Sequence, residues 1–119
     1  MVVDDSRAIR TILSRTLGQL GYDVCQAANG KEALTVLQGE GNVSLVLVDW
    51  NMPEMNGLEF VKHVRADTRY DEVKLMMVTT ETQIEQMMTA LEAGANEYVM
   101  KPFTKEIIED KLRMLGALQ

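Results

Sequence analysis

Three acids, a threonine and a lysine occupy corresponding points of this chain, each at or just after the end of a short apolar run. Asp4 and Asp5 follow residues 1–3, Asp49 closes 45–49, Thr79 closes 75–79 and Lys101 follows 97–100. Taken singly, an acid at such a place caps the next helix and a lysine is simply solvated. Taken together they describe another chemistry. Carboxylates held close repel one another unless a cation joins them, and oxygen ligands select a hard divalent ion such as Mg²⁺. That ion keeps several waters and often completes its shell from phosphate. The lysine adds positive charge where a transferred phosphoryl group gathers negative charge. A carboxylate is also a competent nucleophile toward phosphorus. This combination of residue types suits a site that receives a phosphoryl group.

The five positions meet only if the chain brings its strand ends to one place, and its rhythm predicts that it does. Short β-rich runs at 1–3, 22–27, 45–49, 75–79 and 97–100 alternate with helix-period segments. The first helix carries Ile9, Ile12, Leu13, Leu17 and Leu20, with Ser6 at its N-cap position and Gly21 as a stop signal. The second spans 30–38 through Ala33, Leu34 and Leu37, and the third spans 57–66 through Leu58, Val61 and Val64. Ile84, Met87, Met88 and Leu91 mark the fourth, ended by Gly94, and Ile107, Ile108, Leu112 and Leu115 point inward from the fifth, 104–115. Parallel strands need crossovers, so five strand–helix units in series predict a doubly wound α/β fold. The expected form is a five-stranded parallel (βα)5 sheet in the flavodoxin-like order 2-1-3-4-5. Its ligand crevice lies beyond the carboxyl ends of the strands. Only three residues precede Asp4, a short lead-in for a strand, which leaves the pairing of the central strand as the open point of this fold.

Length and composition agree. The chain has 119 residues and one cysteine, so a single domain over 1–119 without an internal disulfide is expected, in a reducing cytoplasm. The longest apolar runs are four residues, 45–48 and 75–78, which excludes a membrane-spanning helix and a signal-peptide core. A formal charge of −6, from 18 acidic and 12 basic residues, argues against direct nucleic-acid binding.

The segments Val2-Val3-Asp4-Asp5-Ser6, Leu45-Val46-Leu47-Val48-Asp49-Trp50-Asn51-Met52-Pro53-Glu54-Met55-Asn56-Gly57, Val78-Thr79-Thr80-Glu81 and Tyr98-Val99-Met100-Lys101-Pro102-Phe103 resemble two-component receiver domains, in order and over nearly the whole chain. The resemblance implies that Asp49 is phosphorylated, and that Asp5, Asp49 and the Asn51 backbone carbonyl hold Mg²⁺ (or Mn²⁺), with Asp4 acting through water. It implies that Lys101 and Thr79 contact the phosphoryl group, that Thr79 and Tyr98 form the switch, and that the Lys101–Pro102 bond is cis. Asn51 and Glu81 then flank the approach of the hydrolytic water and tune how long the phosphoryl group lasts. The implied partners are a sensor histidine kinase as donor and a target protein on the face made by the fourth helix, fifth strand and fifth helix, with the flagellar motor switch as a candidate. The protein would be a cytoplasmic monomer that catalyses only its own phosphorylation and dephosphorylation. Trp50, Glu81 and the brief tail after Gly116 favour a stand-alone chemotaxis regulator over a receiver attached to a DNA-binding or enzymatic output domain.

Other chemistries fit less well. An aspartyl-phosphate phosphatase of similar pattern has a second aspartate two residues after the nucleophile as general acid, and here that residue is Asn51. A flavin phosphate would be repelled by Asp4 and Asp5 unless a metal intervened. The nine methionines read as core filler, His63 as a surface residue beside Lys62, and Cys25 as a small buried hydrophobe in the second strand. Trp50, directly after Asp49, reads as a packed aromatic well placed to sense a metal.

Overall fold

Leu45–Asp49 (β3) and Lys74–Thr79 (β4) are nearly continuous aliphatic runs, and both are buried along almost their full length because helices cover each face of the sheet. The computed structural model describes residues 1–40, 42–80 and 84–117. The other strands are Val2–Val3 (β1), Gln26–Ala27 (β2) and Glu97–Met100 (β5). The helices are Arg7–Gln19 (α1), Gly30–Glu40 (α2), Gly57–Arg65 (α3), Ile84–Ala93 (α4) and Lys105–Met114 (α5), with a 3-10 turn at Thr68–Tyr70. The strands form one parallel sheet in the expected order β2-β1-β3-β4-β5.

Short as it is, β1 lies between two partners. Val2 and Val3 align with Gln26 and Ala27 on one side and with Leu47 and Val48 on the other. The sequence predicted a second strand over 22–27, but only Gln26 and Ala27 pair. The pairing begins where Val2 N–H donates to Cys25 C=O and continues through Gln26 and Ala27. Cys25 therefore sits beside the strand rather than in it, partly buried against the core.

Two apolar layers sandwich the sheet. Val46, Val48, Phe60, Val61, Val64, Leu75 and Met77 meet on the side of α2, α3 and α4, and Val2, Leu47, Met76, Val78, Leu13, Leu17, Ile108 and Leu112 meet on the side of α1 and α5. Alternation along each strand sends successive side chains to opposite layers. Ile12, Ile84, Met88 and Ile107, which the helical pattern had counted, are about half exposed. On α5 the buried stripe is Ile108 and Leu112, four apart, and Ile107 stands about 100° around the helix from it.

Side-chain caps fix where the site-bearing helices begin. Ser6 Oγ accepts from Ile9 N–H, Asn29 Oδ1 from Glu32 N–H and Thr104 Oγ1 from Ile107 N–H. Asn56 and Glu59 form a reciprocal capping box at the start of α3. At the far end of α3, Arg65 ties three segments together. Its guanidinium donates to the carbonyls of Gly94, Tyr70 and Val73 and to Asn96 Oδ1, at 2.7–3.0 Å. Gly94 must be glycine here, because its φ is +121° and a Cβ would lie 2.6 Å from Arg65 Cγ. Arg65→Ala would leave partly buried carbonyls unpaired, so it should cost about 2–4 kcal/mol in urea unfolding. Arg65→Lys should recover only part of that, since an ammonium cannot fork to four acceptors.

Candidate functional site

The carboxyl ends of β1, β3 and β5 bring their side chains to one crevice. Asp4 and Asp5 leave β1, Asp49 ends β3 and Lys101 follows β5. Carboxylate oxygens of Asp4, Asp5 and Asp49 all lie within 4.8 Å of one another. Lys101 Nζ stands 3.4 Å from Asp49 Oδ1 and 3.8 Å from Asp4 Oδ2. Asp4 and Asp49 are buried, whereas Asp5 is exposed at the rim. Thr79, at the end of β4, is buried too, and its hydroxyl lies 3.4 Å from Thr80 C=O.

Local geometry locks this arrangement. Ser6 N–H donates to Asp4 Oδ1 at 2.8 Å, and Arg10 Nη1 donates to Asp4 C=O at 2.7 Å, fixing the turn out of β1. Gly57 lets α3 start directly against Asp49. A Cβ there would lie 2.6 Å from Asp49 C=O and 3.0 Å from Trp50 Cα, and Gly57 N–H bonds Trp50 C=O. Lys101 N–H donates to Thr79 C=O at 2.6 Å, and the Lys101–Pro102 peptide bond is cis.

The electrostatics are those of a site short of positive charge. Burial pushes the Asp49 carboxyl up to about 6, and the neighbouring Asp4 charge adds to the rise; Lys101 opposes both without cancelling them. Asp4 is raised as well, chiefly by burial, against the Ser6 N–H and Lys101. Its Oδ2 is buried without a hydrogen-bond partner among the described residues, Lys101 lying beyond hydrogen-bond reach of it. Three carboxylates gathered this closely, one of them carrying an orphaned buried oxygen, form a set that fits a hard cation.

Asp4, Asp5, Asp49 and Lys101 thus converge, with Thr79 at the neighbouring strand end. Asn51 is exposed two residues after Asp49. Tyr98 lies within β5, half-buried and packed against the α4-side layer. Glu81 lies outside the described residues. Trp50 is buried next to Asp49, and His63 is exposed on α3. Sequence reasoning missed Arg10 and Gly57. The glycine was signalled by its place at the first turn of a helix, but nothing in the helical pattern marks an arginine that reaches back over one turn to a carbonyl.

The doubly wound sheet with acids and a lysine at its carboxyl edge defines a class, and the sequence agrees: it matches the response regulator receiver domain over residues 1–113, and the chain belongs to that family. It is 47% identical over 116 residues to the chemotaxis protein CheY1 of Helicobacter pylori strain J99, covering 97% of this chain and 94% of that one. A CheY homolog of Campylobacter jejuni is 48% identical over 113 residues, covering 94% and 87%. Among solved structures, Vibrio cholerae CheY4 superposes with a TM-score of 0.87 at 40% identity, over 95% of this chain and 93% of that one. A probable two-component response regulator/GGDEF domain protein superposes with a TM-score of 0.91 at 29% identity, over 98% of this chain but 48% of that one. The protein is therefore a receiver domain of two-component signal transduction with chemotaxis relatives, a signalling protein rather than an enzyme in the ordinary sense. Among the described residues no helix is long and apolar enough to cross a membrane.

Proposed function

We propose that this chain is a single receiver domain over residues 1–119 that takes a phosphoryl group onto Asp49 from a sensor histidine kinase and acts as a stand-alone chemotaxis or motility regulator in the cytoplasm. The observation that carries this reading is the meeting of three carboxylates within 4.8 Å at the sheet's carboxyl edge, with Lys101 3.4 Å from Asp49. An Asp49 carboxylate oxygen attacks phosphorus, the bond from phosphorus to the donor nitrogen breaks, and the imidazole leaves with that electron pair. Lys101 faces the phosphoryl oxygens and offsets their charge. Asp5, Asp49 and the Asn51 carbonyl would hold Mg²⁺, or Mn²⁺ in its place, with Asp4 acting through water. Bound there, the ion supplies charge neutralisation to a site that otherwise resists ionisation of Asp49.

The output follows from new acceptors. Phosphoryl oxygens on Asp49 draw the Thr79 hydroxyl, and the Tyr98 ring moves into the space released, reshaping the α4–β5–α5 face for a target protein such as the flagellar motor switch. Asn51 and Glu81 set the lifetime of the phosphoryl group by admitting and orienting the hydrolytic water, both residue types being polar and neither bulky. A net charge of −6 supports a protein target over nucleic acid, and the receiver works as a monomer.

Titrating Mg²⁺ while following Trp50 fluorescence should give a saturating curve, because that indole is buried beside Asp49. Asp5→Ala should weaken the apparent affinity about tenfold or more, as a direct oxygen ligand is lost. A curve unchanged in that variant contradicts the assignment. A second reading, a receiver joined to an output domain, draws support from the GGDEF protein of which this fold covers 48%. The reading frame flanking the chain's gene separates the two.

A further inference from the structure

One group of side chains stands apart from the carboxylate crevice. Glu97 and Tyr98 are neighbours on β5, and β5 is an edge strand, paired with β4 on one side only. The Tyr98 N–H is covered by the Glu97 side chain, which accepts it at 2.9 Å through Oε1. The same Oε1 lies 3.4 Å from Lys111 Nζ on α5. That ammonium in turn sits over the Tyr98 ring, 4.5 Å from its centroid. Lys111 and Glu97 are partly shielded, their side chains 25% and 16% exposed.

The layers make this contact unusual. The Tyr98 ring packs with the α4-side layer, in register with Met77, whereas α5 belongs to the opposite layer through Ile108 and Leu112. Lys111 therefore reaches around the free edge of the sheet to hold a ring that belongs to the other face. A cation over an aromatic face within about 6 Å is attracted to the ring's negative quadrupole. The Glu97 carboxylate fixes the ammonium so that the attraction acts at one ring position. The apolar pattern of α5 and β5 gives no reason for Lys111 or Glu97 at these positions.

We propose that Lys111, anchored by Glu97, is a positioning residue that latches the Tyr98 ring in its half-buried resting place and so sets the resting balance of the switch. This rests on the reading of Tyr98 as the moving aromatic. Any inward turn of the ring must first leave the ammonium, so the latch opposes the active arrangement in the unphosphorylated chain. Phosphorylation then has to outweigh it, which lowers background signalling. Lys111→Met keeps the aliphatic stem and removes the cation. Glu97→Gln keeps an acceptor for the Tyr98 N–H and removes the charge that holds Lys111. Lys111→Arg keeps a cation over the ring.

The test is NMR of the full chain with ring-labelled tyrosine, the Tyr98 signal assigned by its loss in Tyr98→Phe. Spectra are taken with Mg²⁺, before and after beryllium fluoride. In the resting wild type the signal should lie near one extreme, and beryllium fluoride should move it toward the other. Lys111→Met should shift the resting signal toward the activated position, raising the inward population about two- to five-fold. Glu97→Gln should shift it the same way by less, and Lys111→Arg should stay at the wild-type position. If beryllium fluoride moves the wild-type ring but Lys111→Met and Glu97→Gln leave the resting signal in place, the latch is overturned and the switch stands. If beryllium fluoride leaves the wild-type ring where it is, the switch reading fails and the latch fails with it.

Discussion

Lys101→Ala should take up a phosphoryl group from acetyl phosphate about 10²–10³-fold more slowly than the wild type at saturating Mg²⁺. Among the described residues its ammonium is the one positive side chain that ion-pairs with both buried carboxylates, 3.4 Å from Asp49 and 3.8 Å from Asp4. On the proposed reading the transferred group gathers negative charge at that place, and a fixed cation stabilises the transition state more than the ground state. The same variant should bind Mg²⁺ more tightly, because one like charge has left the site. Opposite signs for uptake and metal affinity separate a residue that acts on the phosphoryl group from one that merely holds the crevice together. Uptake measured by mass spectrometry and affinity measured by Trp50 fluorescence check the pair, and a fall in both by the same factor contradicts the role.

Asp49→Asn should stabilise the metal-free fold at pH 8 by on the order of 1–3 kcal/mol. The folded Asp49 carboxyl is pushed up to about 6, above its ordinary 3.8, by burial first and by Asp4 second. Between those values the native chain holds a proton that the unfolded chain has released, so stability falls as pH rises. The contribution of the protonated group is full below about 4 and lost as pH climbs through about 6. Asn cannot ionise, so the gap between variant and wild type should be small at pH 4 and largest at pH 8, with EDTA present in both urea titrations. Mg²⁺ should close much of the gap by binding the native wild type alone. A gap that is independent of pH would place the strain elsewhere. That outcome would show Asp49 costing the fold stability, as expected of a site organised for a cation and an anion rather than for itself.

The parallel doubly wound sheet and the convergence of Asp4, Asp5, Asp49 and Lys101 were legible because buried parallel strands write themselves as aliphatic runs, and a strand's end fixes where the next residue points. The order 2-1-3-4-5 was legible only through the likeness to receiver domains. What was not legible depends on partners distant in sequence. Residues 22–25 have strand-like composition, yet the ladder with β1 begins only where Val2 N–H meets Cys25 C=O and runs through Gln26 and Ala27. Ile107 and Met88 satisfy helical spacing yet fall off the buried stripe, because an apolar pattern fixes a helix's inward face only to within about one residue. Arg65, Arg10 and Lys111 are polar letters on helices, and the apolar pattern says nothing of them. Each instead reaches groups that the fold alone brings near: the Gly94 carbonyl, the Asp4 carbonyl and the Tyr98 ring.

The claim at the centre of this account, that Asp49 receives the phosphoryl group, is tested most directly by trapping it. The wild-type chain is incubated with acetyl phosphate and Mg²⁺, reduced with borohydride, which converts an acyl phosphate carbon to an alcohol, and mapped by peptide mass spectrometry. The account predicts homoserine at position 49, dependent on Mg²⁺ and absent from Asp49→Asn. Reduction at Asp4 or Asp5 instead, or a phosphoryl group that survives Asp49→Asn undiminished, would contradict it.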